Sequence, residues 1–326
     1  MLQIVRLMRA SCALAVATTL TLSVHAVAAD YPQRNVHLLV PYPAGGPNDV
    51  IARLLGQKLT EIWGQQVVIE NRSGGSGNIA VESLGRSQPD GHTMALPAMA
   101  YAVNPALFSK VGYKFGDFAA VSVVTKGPLV LVVTPSLGVN SVGELIALAK
   151  QKPGELNYGS GGNGSSLHLA AEVFKQQAGV DIQHIPYKGT NDLIADLLTG
   201  RVPISFLSPL IAKQMVSEGK LRALGITSPK RSPSWPDTPT IAEAGVPGYE
   251  VEAWYAVVVP NATPKDVVEK LSRSISDAVK SPEVAQKLAT LGNEPVGSTA
   301  DEADAYITAE AARWEKVLRA ANIKAE

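Results

Sequence analysis

The feature that most restricts this chain is a recurring unit: a short β-rich run, a glycine-rich turn, then a helix with one apolar face. Residues 36–40 (Val-His-Leu-Leu-Val) form the first run, and Pro41-Tyr42-Pro43-Ala44-Gly45-Gly46-Pro47 follows as a turn. A helix is expected over 48–63, because Ile51, Leu54, Leu55, Leu59 and Ile62 recur at the i, i+3, i+4 spacing of a single buried face. Asn48 or Asp49 is the expected cap of its first turn. The unit repeats with a strand over 66–70, a glycine-rich turn over 71–77, a helix over 79–87 and a strand over 93–97. Alternation of this kind predicts a mainly parallel sheet, since parallel neighbours need a crossover between them.

A second set begins at Asn157-Tyr158. Glycine-rich residues 159–164 lead into a helix over 165–178, followed by a strand over 182–186, a helix over 192–199, and strands over 202–207 and 221–227. Between the sets lies 119–134, a long β-rich stretch interrupted by Lys126-Gly127-Pro128, and 254–259 is a second such stretch. We read both as crossings between two lobes, with helices over 264–280, 282–291 and 301–321 returning to the first. The expected division is a leader over 1–29, lobe 1 over 30–125 plus 258–326, and lobe 2 over 126–257. The fold class is α/β, with two Rossmann-like lobes joined by crossing strands. A chain of 326 residues is long enough for two domains, and a composition 46% hydrophobic and 18% charged argues for a packed core.

The leader differs in kind from the rest. Arg6 and Arg9 precede a largely apolar run over 10–24, and Ala26-Val27-Ala28 places small residues before Asp30. This pattern reads as a secretory signal peptide cleaved near Ala28/Ala29, which implies a periplasmic protein; a membrane anchor is the alternative, against which the run is short. Cys12, the single cysteine, lies in that leader, so the mature chain is expected to hold no disulfide and no thiolate chemistry. Formal net charge is zero and no basic stripe is interleaved with aromatics, which argues against nucleic acid as a partner.

Ligands of open parallel sheets bind beyond the carboxyl ends of the strands. Helix N-termini there present unpaired N–H groups and partial positive charge, which suit an anion, and glycine lets the backbone approach it. Turns at 41–49, 98–101, 159–166, 187–191 and Ser208-Pro209 occupy such positions. The candidate ligand-binding residues are therefore Tyr42, Ala44, Gly45, Gly46, Asn48, Asp49, Ala100 and Tyr101 on the first lobe. On the second they are Gly161, Asn163, Ser165, Ser166, His168, Lys188, Gly189 and Ser208. Each has a second reading. Any one loop taken alone is an ordinary turn. Asp49 caps its helix, fixes its loop or accepts from the ligand. His168 supports the glycine loop or touches the ligand. Lys188 pairs with a carboxylate or is solvated. Trp254 and Tyr255 line the cleft or pack in the core.

Signs of catalysis are missing. The chain has no Gly-x-Ser-x-Gly elbow, no His-Glu-x-x-His and no Walker lysine, and His37, His92, His168 and His184 lack metal-ligand spacing. Gly159-x-Gly161-x-x-Gly164 matches the dinucleotide fingerprint, but Asp181 falls before or at the start of the next strand rather than at its end. No cofactor and no metal are expected. A hydrolase or isomerase using His168 and Asp49 remains the enzyme alternative.

Several motifs, taken jointly, carry a family resemblance. They are Val40-Pro41-Tyr42-Pro43-Ala44-Gly45-Gly46-Pro47-Asn48-Asp49, Glu70-Asn71-Arg72, Pro89-Asp90-Gly91-His92-Thr93 and residues 158–168. Pro186-Tyr187-Lys188-Gly189, Gly219-Lys220-Leu221-Arg222-Ala223-Leu224, and Pro239-Thr240 with Glu243-Ala244-Gly245 complete the set. In this order the chain resembles the extracytoplasmic binding proteins of tripartite tricarboxylate transporters, the Bug (TctC-like) family. The resemblance implies a periplasmic-binding-protein architecture of the type II kind and a cleft that closes on a small carboxylate. It also implies delivery to a membrane permease of the tripartite tricarboxylate type, or to a sensor in some members, by a protein whose default state is a monomer. In the family the carboxylate is held by the loop after the first strand and by the glycine-rich loop of the other lobe, here 42–49 and 161–166. The chain departs from the family at 203–208, which carries no acid for a ligand ammonium, so amino-acid specificity is not carried over.

Overall fold

The computed structural model describes residues 31–320 and Ile323. The leader, with Arg6, Arg9, Cys12 and the expected cleavage at Ala28/Ala29, lies outside the described residues.

The first strand–helix set runs β1 (Val36–Val40), α1 (Pro47–Trp63), β2 (Val67–Asn71), α2 (Asn78–Gly85), β3 (Thr93–Ala95), α3 (Ala100–Leu107) and β4 (Phe118–Pro128). The second runs β5 (Val130–Val133), α4 (Val142–Gln151), β6 (Asn157–Ser160), α5 (Ser166–Ala178), β7 (Gln183–Pro186), α6 (Thr190–Thr199), β8 (Ile204–Leu207), α7 (Pro209–Ser217) and β9 (Arg222–Ile226). The chain then returns through β10 (Glu252–Pro260), α8 (Lys265–Lys280), α9 (Pro282–Thr290), β11 (Glu294–Pro295) and α10 (Ala300–Ala320).

The two sheets share one plan. In the first the strand order is β11-β4-β10-β3-β1-β2, and in the second it is β7-β6-β8-β5-β9. Each has three parallel strands, β3-β1-β2 in the first and β7-β6-β8 in the second, with β1 and β6 in the middle. A visiting strand then runs antiparallel beside the third: β10 in the first sheet, β5 in the second. The fourth strand, β4 or β9, pairs antiparallel with that visitor. Both sheets are therefore mixed, which corrects the expectation of mainly parallel sheets. The physical reason is that each visitor is a crossing segment that enters from the opposite end of the sheet. β5 and β8 are buried at every residue, as expected of sheet centres covered on both faces.

β4 stays in the first sheet as far as Pro128, and β10 joins it from Glu252. The chain changes sheets at Leu129 and again within 227–251. These crossings are tied together: Leu129 N–H donates to Thr227 Oγ1 (2.7 Å), Thr227 N–H to Leu129 O (2.9 Å) and Val251 N–H to Thr227 O (3.0 Å).

Local chemistry explains the helix that opens the first set. Ile51, Leu55 and Leu59 are buried, whereas Ile62 is 42% exposed beyond the covered face. The cap is Gly46, not Asn48 or Asp49 as expected. Pro47 occupies the first helical position, where its missing N–H costs nothing. Asp49, two residues further in, reaches back to accept from Gly45 N–H (2.9 Å). Three helices, α3, α4 and α7, were not expected; the turn anticipated at 98–101 runs directly into α3.

Candidate functional site

Between the sheets, at the carboxyl ends of β1, β6, β7 and β8, lies a cavity of about 60 Å³. That is room for several waters or a small organic molecule. The first turns of four helices line it: Asn48 in α1, Ser166 and Leu167 in α5 with their cap Ser165, Thr190–Asp192 in α6 with Gly189, and Ser208 ahead of α7. Each such terminus offers unpaired N–H groups and a partial positive charge. No lysine or arginine lines the cavity, and Asp192 is the one charged side chain among its lining residues. An anion there would be held by backbone N–H groups and hydroxyls.

Two buried polar atoms of the wall have no partner among the described residues: Asn48 Oδ1 and Ser208 Oγ. Tyr42 and Tyr255 also line the cavity. Burial pushes the Tyr42 phenol up to about 12, and burial, helped by the neighbouring Tyr42, raises that of Tyr255 further. Both remain neutral hydrogen-bond donors at neutral pH.

Each lobe braces its own loop from behind. In the first, the buried Asp49 carboxylate accepts from Gly45 N–H, from Arg53 Nε (2.9 Å) and from Asn71 Nδ2 (2.9 Å), and Asn71 Nδ2 also donates to Tyr42 O (3.0 Å). Burial by itself raises the Asp49 pKa, but the bonds from Arg53, Gly45 and Asn71, with the Arg53 charge, outweigh it and hold the group below its ordinary value. In the second lobe the brace is uncharged. His168 Nδ1 accepts from Gly164 N–H (3.1 Å). His184 stacks between His168 (4.3 Å between ring centres) and Tyr158 (4.8 Å), with Nε2 2.6 Å from Ser160 Oγ. Ser160 Oγ in turn accepts from Gly162 N–H (3.1 Å). Burial lowers the His168 pKa to about 4, aided by Lys175, and that of His184 to about 3, aided by His168.

Of the sixteen residues expected to bind ligand, Tyr42, Gly46, Asn48, Gly161, Ser165, Ser166, Gly189 and Ser208 line the cavity. The other eight do not. Asp49 and His168 are engaged in bracing their loops. Ala44 and Gly45 are exposed at the lobe–lobe contact, where Asn191 Nδ2 donates to Ala44 O (3.4 Å). Ala100 and Tyr101 face a smaller cavity within the first lobe, of about 10 Å³, and Lys188 is exposed. Asn163 lies in the glycine loop without lining either cavity.

Some glycines have a role that sequence reasoning missed. A side chain at Gly189 would meet Pro43 Cδ of the other lobe at 3.2 Å, and one at Gly164 would run into Asn104 and Leu107. These glycines let the lobes close on each other, beyond any approach to a ligand. Also missed were Leu129, Leu167 and Asp192 in the wall. Leu129 lies in the β-rich stretch and Leu167 on a buried helix face, so neither carried a signal. Asp192 had one, an acid in the first turn of a helix that follows a glycine. Of the pair weighed together, Tyr255 lines the cavity, and Trp254 instead donates from Nε1 to Glu310 (3.2 Å) in the core.

Residues 51–323 match the family described as tripartite tricarboxylate transporter family receptor (TctC). The chain is 37% identical over 302 residues to protein BugT of Bordetella pertussis, covering 91% of this chain and 93% of that one. Among solved structures, R. palustris Rpa4515 with adipate is similar at 40% identity and a TM-score of 0.87, covering 90% of this chain and 99% of that one. MatC (Rpa3494) from Rhodopseudomonas palustris with bound malate is similar at 29% identity and a TM-score of 0.83, covering 88% and 100%.

Proposed function

The chain belongs to the tripartite tricarboxylate transporter receptor family, whose members are periplasmic solute-binding proteins, and from that premise we propose that it captures a small carboxylate in the interlobe cavity and hands it to a membrane permease of the tripartite tricarboxylate type. The observation that carries the ligand class is the convergence of four helix N-termini on one cavity whose lining includes no cationic side chain. Charge-assisted bonds from N–H groups to a carboxylate are the stronger kind and need no lysine or arginine. The adipate and malate held by Rpa4515 and MatC belong to the same chemical class.

The lobes are residues 31–128 with 252–320, and 129–251, hinged where Leu129, Thr227 and Val251 bond to one another. Neither lobe surrounds the ligand alone, so an acid that bonds to both favours the closed form over the open one. The protein acts as a monomer without cofactor, in the periplasm, after removal of the leader near Ala28/Ala29. It is a binder and not an enzyme: the two groups best suited to acid–base work, Asp49 and His168, are spent on Gly45, Arg53 and Asn71, and on Gly164.

The test is mass spectrometry of small molecules released by denaturing the purified mature protein. A carboxylic acid recovered unchanged at near-stoichiometric yield is expected. Recovery of a nucleotide, or conversion of the acid on incubation with fresh protein, overturns the reading.

A further inference from the structure

The lobes meet through glycines, and at one of these contacts a polar atom is sealed in with nothing to bond. Asn104, in α3 of the first lobe, is fully buried. Its Nδ2 donates to Ser76 O (3.0 Å) and to Asn78 Oδ1 (2.7 Å), both in the same lobe. Ser76 O can only accept, so turning the amide over would set oxygen against oxygen, and the orientation is determined. That leaves Oδ1 as a buried acceptor without a partner among the described residues. What lies on it is Gly164 of the second lobe: a Cβ there would collide with Oδ1 and come within 3.1 Å of Leu107 Cδ2. Gly164 brings no N–H to the contact, because its own is committed to His168 Nδ1 (3.1 Å). Its Cα–H is at most a weak donor.

The donor side of Asn104 has a structural use. Ser76 is the one non-glycine residue with left-handed backbone among the described residues (φ 55°), and Nδ2 holds its carbonyl. That accounts for an amide nitrogen at this position. It does not account for an oxygen pressed under the opposite lobe, since an acceptor taken from water without a replacement bond costs free energy. The cost falls on one state only. Ser76, Asn78 and Asn104 belong to one lobe, so the Nδ2 bonds persist when the lobes part, whereas water reaches Oδ1 once Gly164 withdraws.

We infer that Asn104 is a built-in opening device: closure buries its Oδ1 unpaired beneath Gly164, so the empty protein rests open and closes only when bonds to a bound acid outweigh that cost. The inference rests on the reading that the lobes close over an acid in the interlobe cavity. It gives a residue outside the lining of that cavity control over capture and release. A penalty confined to the closed form lowers the population of the binding-competent state, and apparent affinity falls with it. The same penalty favours reopening when the acid leaves.

The test reads the lobes with no acid present. Cys12 is the single cysteine and lies in the leader, so Gln57→Cys on α1 and Ala195→Cys on α6, both exposed, place spin labels on the mature chain at those two sites alone. The starts of these helices meet across the gap at Ala44 and Asn191, so the distance between the labels, measured by pulsed electron paramagnetic resonance, reports opening. After exhaustive dialysis the labelled protein is expected to show mainly long distances. Asn104→Leu, similar in shape and without an acceptor, is expected to raise the short-distance fraction about threefold or more. Asn104→Ala removes the acceptor without adding bulk, is expected to shift the fraction the same way, and decides the matter if leucine impairs folding. Melting temperature does not discriminate, since both variants lose the Nδ2 bonds whatever Oδ1 does. A dialysed protein that is already closed with Asn104 in place overturns the inference, as do unchanged or longer distances in the folded variants. Because no acid is added, either result leaves the carboxylate reading to be decided separately by what is recovered from the purified protein.

Discussion

The β1–α1 loop and the β6–α5 loop hold the same position in two sheets of the same plan, yet they are stiffened by opposite chemistry. The first is braced by an ionised carboxylate, Asp49, collecting three donors. The second is braced by neutral imidazoles, His168 and His184, stacked on Tyr158 and bonded to Gly164 and Ser160. The architecture specifies where a loop must be rigid but leaves open how. The choice determines what weakens each half: loss of a negative charge on one side, gain of a positive charge on the other.

The largest expected effect breaks the contact between the halves. Gly189 has φ 179°, extended backbone open to any residue, so a side chain there adds no strain and only meets Pro43 across the gap. Gly189 is buried against Pro43, so Gly189→Leu is expected to force the lobes apart, weakening acid binding by a hundredfold or more, and to lower the melting temperature of the unliganded protein by about 5 °C, as overpacking at a buried contact does. Titration calorimetry and thermal melts check both halves; retained affinity would show that closure does not require this contact.

Next come the braces. Asp49→Ala removes a buried charged acceptor and leaves Gly45 N–H and Asn71 short of a partner. It is expected to cost on the order of 2–3 kcal/mol of stability and about tenfold in affinity. In wild type the Asp49 contribution is complete above the unfolded carboxylate value of about 3.9 and is lost as pH falls through its lower folded value. The histidine brace weakens sooner. Above about pH 6.5 both rings are neutral folded or unfolded; below it the unfolded chain takes up protons that the folded chain refuses until about pH 4 for His168 and about 3 for His184. Stability is therefore expected to decline from pH 6.5 to 4 by on the order of 3 kcal/mol per histidine. His184→Phe, which keeps a ring in the stack, should flatten that decline while losing about 1 kcal/mol at neutral pH through the Ser160 bond. Denaturant melts at a series of pH values measure it; an unaltered slope would remove His184 from the brace.

The smallest effect concerns a loop residue that faces away. Lys188 is exposed and does not line the cavity. Lys188→Ala should change affinity less than twofold at physiological salt, where a solvated charge at a distance is screened. A larger loss would move the carboxylate toward the β7–α6 loop.

Much of this fold was legible because its signals are local. The apolar spacing of Ile51, Leu55 and Leu59 and the turn over 41–47 place α1 to within a residue of its start. Two helices outside the expected set differ in this respect. In α3, Pro105 interrupts the pattern and nearly every residue is buried, so no polar face marks the period. In α4 the signal was present: Ser141 Oγ accepts from Glu144 N–H (3.1 Å), the Ser-x-x-Glu signature of a helix start. The antiparallel visitors β5 and β10 were hidden because pairing direction is a property of the partner, not of the strand's own residues.

What the residues determined by themselves was the list of parts: two strand–glycine–helix sets, the loops at their carboxyl ends, and an anion-friendly chemistry at helix starts. Each follows from interactions a few residues long. What only the tertiary structure decided was the direction in which each part faces. Asp49 and His168, two of the more reactive groups in those loops, turn inward to accept from the N–H groups of Gly45 and Gly164. Asp192 and the plain apolar Leu129 border the cavity because the two sheets meet there. Such placement depends on contacts between residues far apart in the chain, and those form only when the lobes close.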